Sequence, residues 1–208
     1  MIIEKSTEGV FVFTNAIIYG YPTCYDFRHM KVVIGLGNPG KMYQHTRHNV
    51  GAKFVVDLAE GAVWKENKAA NAKLALDSDN QVVFVLPTTY MNRSGAALTY
   101  VKKKYPKIGN ADLFVIHDDL DIALGEYKTQ FGKGPHEHNG LLSLYQAWGS
   151  SAFWHIRIGI DGRMGSRDVP GQQYVLQPFS PDEVVKLENV VLTLIPQLKN
   201  QLQSEYTQ

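Results

Sequence analysis

From Lys31 onward, short apolar runs alternate with windows in which apolar residues recur at helical spacing, the pattern of an α/β sheet with covering helices. Val32 to Leu36 is an unbroken apolar run, as a strand buried on both faces requires. Val50, Phe54, Val55 and Leu58 share one helical face, which predicts a helix from about His48 to Glu60 with Thr46 or Asn49 as its cap. Lys73–Asp77 and Gln81–Leu86 flank the turn residues Ser78-Asp79-Asn80 and read as a hairpin that Pro87 ends. A helix through Ala97, Leu98 and Val101 closes on Lys102-Lys103-Lys104, cations suited to the negative end of its dipole. Leu113–Ile116, Glu126–Phe131 and His155–Ile160 are predicted strands, and Leu141–Trp148 is a predicted helix. Residues 162–171 form a polar, basic loop without period. Ser180-Pro181-Asp182-Glu183 combines an N-cap serine, a proline at the first helical position and a glutamate that completes a capping box. Pro196 is expected to bend or break the helix that follows.

A chain of 208 residues suffices for one domain with an adequate core. A net charge of +1 names no partner by itself. The single cysteine, Cys24, excludes an internal disulfide and a thiolate zinc site, which points to a reducing cytoplasm. Apolar runs fall short of the roughly 18 residues a membrane span needs, and MIIEKSTEG lacks the layout of a secretory signal. Residues 1–30 are rich in Ile, Phe, Tyr and Val but show no helix period, and Met30 stands directly before the first strong strand. The segment is expected to lie outside the fold, with Met30 as the start and residues 31–208 as the domain.

The candidate chemistry gathers around KVVIGLGNPGKMYQHTRHNVG, residues 31–51. Gly35, Gly37 and Gly40 match a dinucleotide fingerprint, with Glu60 where a ribose-binding acid would sit. That fold requires the helix to begin within the glycines, whereas KMYQHTRHN intervenes here, so the glycines read as turn-makers. His48, at a helix start beside Arg47 and Asn49, is placed to stay neutral and accept a proton. Asn92, in YMNRSG, either caps a helix or holds a substrate carbonyl. The group His117-Asp118-Asp119-Leu120-Asp121, expected at a strand end, suits either a Mg²⁺ site or a carboxylate that orients a histidine, and lacking a phosphate-cradling loop it favours the second. His136 and His138 form a chelating pair without the helical offset of a zinc protease. There is no serine nucleophile elbow, and no cysteine lies in the folded part, so general-base hydrolysis by water is the chemistry that fits.

Taken together, GLGNPGKMYQHTRHNVG, PTTYMNRSG, HDDLD, HNGL, RIGID and YVLQPF resemble, in order and spacing, the bacterial-type peptidyl-tRNA hydrolase family over residues 31–185. The resemblance implies a single α/β domain with a mixed twisted sheet covered by helices on both faces. It further implies a cytoplasmic monomer with no obligate protein partner, no cofactor and no metal. Its substrate would be peptidyl-tRNA, cleaved at the ester between the peptide and the 3′ ribose to recycle tRNA from aborted translation. By position, His48 would be the general base and Asp118 would accept its other ring hydrogen. Asn38 and Asn92 would hold the peptide backbone and help stabilise the oxyanion, Asn139 would position water or substrate, and Tyr43 and Met91 would line the cleft.

The chain departs from the family pattern at Gly134-Pro135-His136-Glu137, where glycines are usual, at His155, where arginine is common, and at Gln130, where lysine is common. The changes at His155 and Gln130 weaken the expected tRNA clamp. Lys128, Lys133 and Arg157 remain as phosphate candidates, with Arg163 and Arg167 as substitutes. The alternative to an esterase is a non-catalytic RNA-binding relative of the same fold; a nucleotide-dependent oxidoreductase would have to bind NAD.

Overall fold

Strand β1 (Lys31–Gly35) is buried at every position, and it becomes the centre of a single sheet. In the computed structural model, which describes residues 30–135, 137–163, 165–166 and 168–204, β4 (Val82–Pro87) and β5 (Leu113–Ala123) flank it, both parallel. On one side β3 (Ala72–Asp77) and β2 (Lys65–Asn67) continue antiparallel. On the other, β7 (Trp154–Asp161) runs parallel to β5, and β6 (Tyr127–Phe131) is antiparallel at the edge. The order is β2-β3-β4-β1-β5-β7-β6, a mixed sheet of seven strands.

Because side chains alternate along each strand, β1 feeds two cores. Val32 and Ile34 join Val83, Val85, Leu113 and Val115 beneath α2 (Gly95–Lys104) and α3 (Asn139–Trp148). Val33 joins Phe84, Phe114, Ile116 and Ile156 beneath α1 (Val50–Leu58) and the long helix α5 (Pro181–Gln203). Helices cover both faces, as the resemblance implies. Met30 is buried and packs in the first core, so it belongs to the fold and not to the preceding segment. Residues 1–29 lie outside the described residues.

Several local expectations change. Neither Thr46 nor Asn49 caps α1 with its side chain; Thr46 bonds the Tyr43 carbonyl, and Asn49 clasps the backbone of Asn38 through two bonds. The strand predicted to end at Ile116 runs on through HDDLD to Ala123, because β7 pairs with it to Asp119 and again, after a register shift, at Ala123. The predicted capping box at Ser180 and Glu183 is present. Helix α5 continues through Pro196 without a break. Proline removes the bond to the Leu192 carbonyl, but Leu192 is 72% exposed and water can serve that oxygen. The short strand β2, all polar, and the single-turn helix α4 (Gly171–Tyr174) were not predicted.

The glycines of the apparent fingerprint serve packing more than turning. A Cβ on Gly35 would lie 2.6 Å from the Gly51 carbonyl oxygen, and one on Gly51 would lie 2.2 Å from that of Ile116. Bare backbone there lets α1 lie directly on β1 and β5; of the three fingerprint glycines only Gly40, with φ of 102°, takes a positive φ that disfavours other residues. Gly51→Ala is therefore expected to cost about 1–3 kcal/mol of stability by overpacking, measured by urea denaturation, and an unchanged midpoint would contradict the close approach.

Candidate active site

Parallel strands leave a crevice beyond their carboxyl ends. At the carboxyl ends of β1 and β5 five chain segments come together through hydrogen bonds. Alternation along β5 separates the acids that the sequence brackets together. Asp118 turns to one face, Asp119 turns to the other and pairs with Arg157 at 2.7 Å, and Asp121 is exposed. The three carboxylates do not converge, which removes the Mg²⁺ reading of this group.

Asp118 is buried and takes two imidazoles. His48, in a single turn (Arg47–Asn49) ahead of α1, places Nδ1 at 2.9 and 3.0 Å from the two carboxylate oxygens. His138 places Nε2 at 3.0 Å from Oδ1. The His138 tautomer follows from its other nitrogen: Nδ1 accepts from the Gly140 and Leu141 amides as the N-cap of α3, so the ring hydrogen sits on Nε2 and is donated to Asp118. His48 likewise donates from Nδ1, which leaves its Nε2 as a lone pair without a partner among the described residues. Burial disfavours the Asp118 charge, but the His48 and His138 rings outweigh it and hold the carboxyl well below the ordinary range. Donor atoms of the three side chains lie within 4.8 Å of one another. His138 nonetheless meets the carboxylate with a proton, which makes the trio a hydrogen-bonded network and not a set of lone pairs aimed at an ion. The suggested His136–His138 chelate is not available either: His138 is committed at both nitrogens, and His136 lies outside the described residues.

The amide side chains sit around this network. Asn38 Oδ1 accepts from the Met91 backbone N–H at 2.9 Å, which fixes the amide orientation and leaves Nδ2 as a donor uncommitted among the described residues. Met91 is buried against Gly140, where any Cβ would meet its sulfur. Asn92 is exposed and does not cap α2, whose N-cap is Ser94. Asn139, the first residue of α3, is exposed because His138 does the capping. Tyr43 stands edge-on to the exposed Tyr90 with ring centroids 6.4 Å apart. A contiguous set of contacts thus runs from Asn38 through Met91, Gly140, His138 and Asp118 to His48.

Arg47, grouped with His48 by sequence, has a structural role. It is buried, forked onto both Glu183 oxygens at 2.7 and 2.8 Å and stacked 4.2 Å over Tyr174. Together with the bonds from Arg47 and His48 N–H groups to Gln177 and Val175 carbonyls, this ties the site turn to the segment that leads into α5.

The phosphate candidates divide. Lys128 and Lys133 are exposed, with Lys128 directly opposite Arg157 in the β6–β7 register. Arg157 is buried, its Nε on Asp119 and its Nη1 on Gln130 at 2.7 Å, so it is an ion-paired core cation and not the surface charge expected. Arg163 is likewise forked onto Asp161 and stacked on Tyr174, and Arg167 lies outside the described residues. His155, read as a lost surface cation, is buried against Phe153. His138, bracketed with His136 by the sequence, is the site residue whose partnership with Asp118 the sequence alone does not reveal. Its position one residue ahead of the helical Asn-Gly-Leu-Leu was the available signal.

The family model described as Peptidyl-tRNA hydrolase matches residues 32–208. The peptidyl-tRNA hydrolase of Rickettsia bellii (strain RML369-C) is 40% identical over 166 residues, covering 78% of this chain and 88% of that protein. That of Aliarcobacter butzleri is 39% identical over 162 residues, covering 78% and 86%. The crystal structure of peptidyl-tRNA hydrolase from Acinetobacter baumannii is similar, with a TM-score of 0.71, 29% identity, and coverage of 85% of this chain and 96% of that one. With a family model that matches all but the first 31 residues and relatives about 40% identical over 78% of it, the chain belongs to the peptidyl-tRNA hydrolase family.

Proposed function

We propose that this protein hydrolyses the ester between a peptide and the 3′ ribose of tRNA, with His48 as general base. The observation that carries the reading is the His48–Asp118 contact, which commits Nδ1 and leaves Nε2 free to take a proton. Water deprotonated by Nε2 attacks the ester carbonyl, the carbonyl π electrons move to oxygen, and the tetrahedral oxyanion meets amide N–H donors from Asn38 and Asn92. Asn139 positions the water or the peptide. Collapse breaks the bond to the 3′ oxygen, which takes the proton from the His48 imidazolium. Asp118 balances the imidazolium charge while it exists. Tyr43 and Met91 form the cleft walls. An ester is activated enough for this set of groups, without metal or cofactor.

Lys128 and Lys133 supply phosphate contacts, and the protein works in the cytoplasm as a monomer on tRNA released from aborted translation. No helix among the described residues is long and apolar enough to cross a membrane. The test is cleavage of a purified peptidyl-tRNA. Turnover supports the reading, and tight RNA binding with no turnover would replace it with that of a non-catalytic RNA-binding relative. Alanine at both Lys128 and Lys133 is expected to raise KM several-fold with kcat held, and to flatten the dependence of log affinity on log salt by about 0.9 per lysine. An unchanged salt slope would remove these lysines from the interface.

A further inference from the structure

Behind Asp118 the imidazoles continue inward. The ring centroids of His48 and His138 are 4.9 Å apart, those of His138 and His117 5.4 Å, and those of His117 and His155 5.5 Å. The row starts at a base that opens on the cleft and ends in the core, where His117 and His155 are both fully buried.

The hydrogen bonds of the inner two rings leave a proton unaccounted for. His117 Nδ1 lies 2.9 Å from the Asp118 backbone carbonyl, and His155 Nε2 lies 3.2 Å from the Ser151 carbonyl. Carbonyl oxygens only accept, so each of these nitrogens carries the hydrogen of its ring. In two neutral imidazoles the remaining nitrogens, His117 Nε2 and His155 Nδ1, are then both lone pairs, yet they face each other at 3.4 Å. One added proton between them turns an acceptor–acceptor contact into an N–H···N hydrogen bond.

We infer that His117 and His155 share one titrating proton, and that its arrival couples to the His48–Asp118–His138 network, so that this buried pair turns hydrolysis down as pH falls. The inference rests on the proposed role of His48. The groups that face the pair among the described residues are Asp118 and Asp119 from β5, Arg157 from β7, and His138 and Tyr145 from the loop before α3 and from α3 itself. Burial keeps His117 well below the ordinary histidine range, with His138 adding to the effect, and burial lowers His155 too. Uptake is therefore expected on the acid side of neutrality. A cation there competes with the His48 imidazolium for the one Asp118 charge, which raises the cost of the transition state in which that imidazolium forms.

The test uses the full chain labelled with ¹⁵N-histidine. Ring nitrogen shifts are followed by NMR from about pH 8 down to about pH 4, below the range in which imidazoles ordinarily titrate. The expected result is that His117 Nε2 and His155 Nδ1 move together with one midpoint and a combined change of one proton. Separate midpoints, or no movement in either ring, would overturn the shared proton. In parallel, His155→Asn puts an amide N–H donor at the position of Nδ1, and His155→Gln keeps more of the ring volume; neither titrates. In whichever variant folds, the ratio of kcat at the lowest pH that leaves wild type folded to kcat at about pH 8 is expected to rise about threefold or more over wild type. Superimposable pH profiles would overturn the coupling. An absence of turnover by wild type at every pH would overturn the esterase reading and the coupling with it, while the NMR titration would still decide the shared proton.

Discussion

Replacing His48 with alanine is expected to lower kcat for peptidyl-tRNA by about a hundred- to ten-thousand-fold, the range of a positioned general base. RNA affinity should persist, since the exposed lysines lie elsewhere. The fold should persist too. The His48 backbone N–H keeps its bond to the Val175 carbonyl, and among the described residues the ring's hydrogen bonds go only to Asp118. Asp118 is not stranded by the loss, because His138 still donates to it at 3.0 Å. Partial recovery with added imidazole would identify the missing group as a base and not as a packing element. Turnover within about threefold of wild type would remove His48 from the chemistry, because it falls short of any general-base contribution.

The second large effect is expected at Asp118→Asn, about a hundredfold in kcat through misplacement of the base, and less than the loss at His48→Ala. Oδ1 receives both rings and Oδ2 receives His48 alone. His138 cannot change tautomer without giving up the two α3 amides, so the asparagine must keep its oxygen at the Oδ1 position. Its amide nitrogen then faces His48 Nδ1 and favours the tautomer with hydrogen on Nε2, which is the wrong atom for a base. Some molecules retain the productive tautomer by donating to the shared oxygen, and so the loss is partial. A loss larger than that of His48→Ala would assign Asp118 a role beyond support, and full activity would end the orienting role.

What the sequence disclosed depended on whether a residue's task is local. Val32 to Leu36, the turn at Ser78-Asp79-Asn80 and the box at Ser180 announce themselves through neighbours in the chain, and each forms as expected. Tasks set by distant partners were harder to read. His138 was bracketed with His136 because they lie close in sequence, yet its partners are Asp118 and the amides of its own helix. Arg47 and Arg157 look like free cations in the sequence, and Glu183 and Asp119 consume them. His155 stands where the resemblance implies an arginine, and the sequence does not say that its strand turns it into the core. The polar strand β2 has no hydrophobic period, and it exists only because β3 offers it an edge.

The place of β1 has a consequence for how the protein comes into being. It is the first described strand to leave the ribosome, and both of its partners are encoded later, β5 some eighty residues downstream. Until Leu113–Ile116 emerges, a strand apolar on both faces has one edge open and one core face incomplete. The nascent chain must wait for a long-range parallel pairing, a slow and aggregation-exposed step in folding. The crevice closes over Asp118 only after that pairing, so catalytic competence should be among the last properties the chain acquires, well after its helices have begun to form.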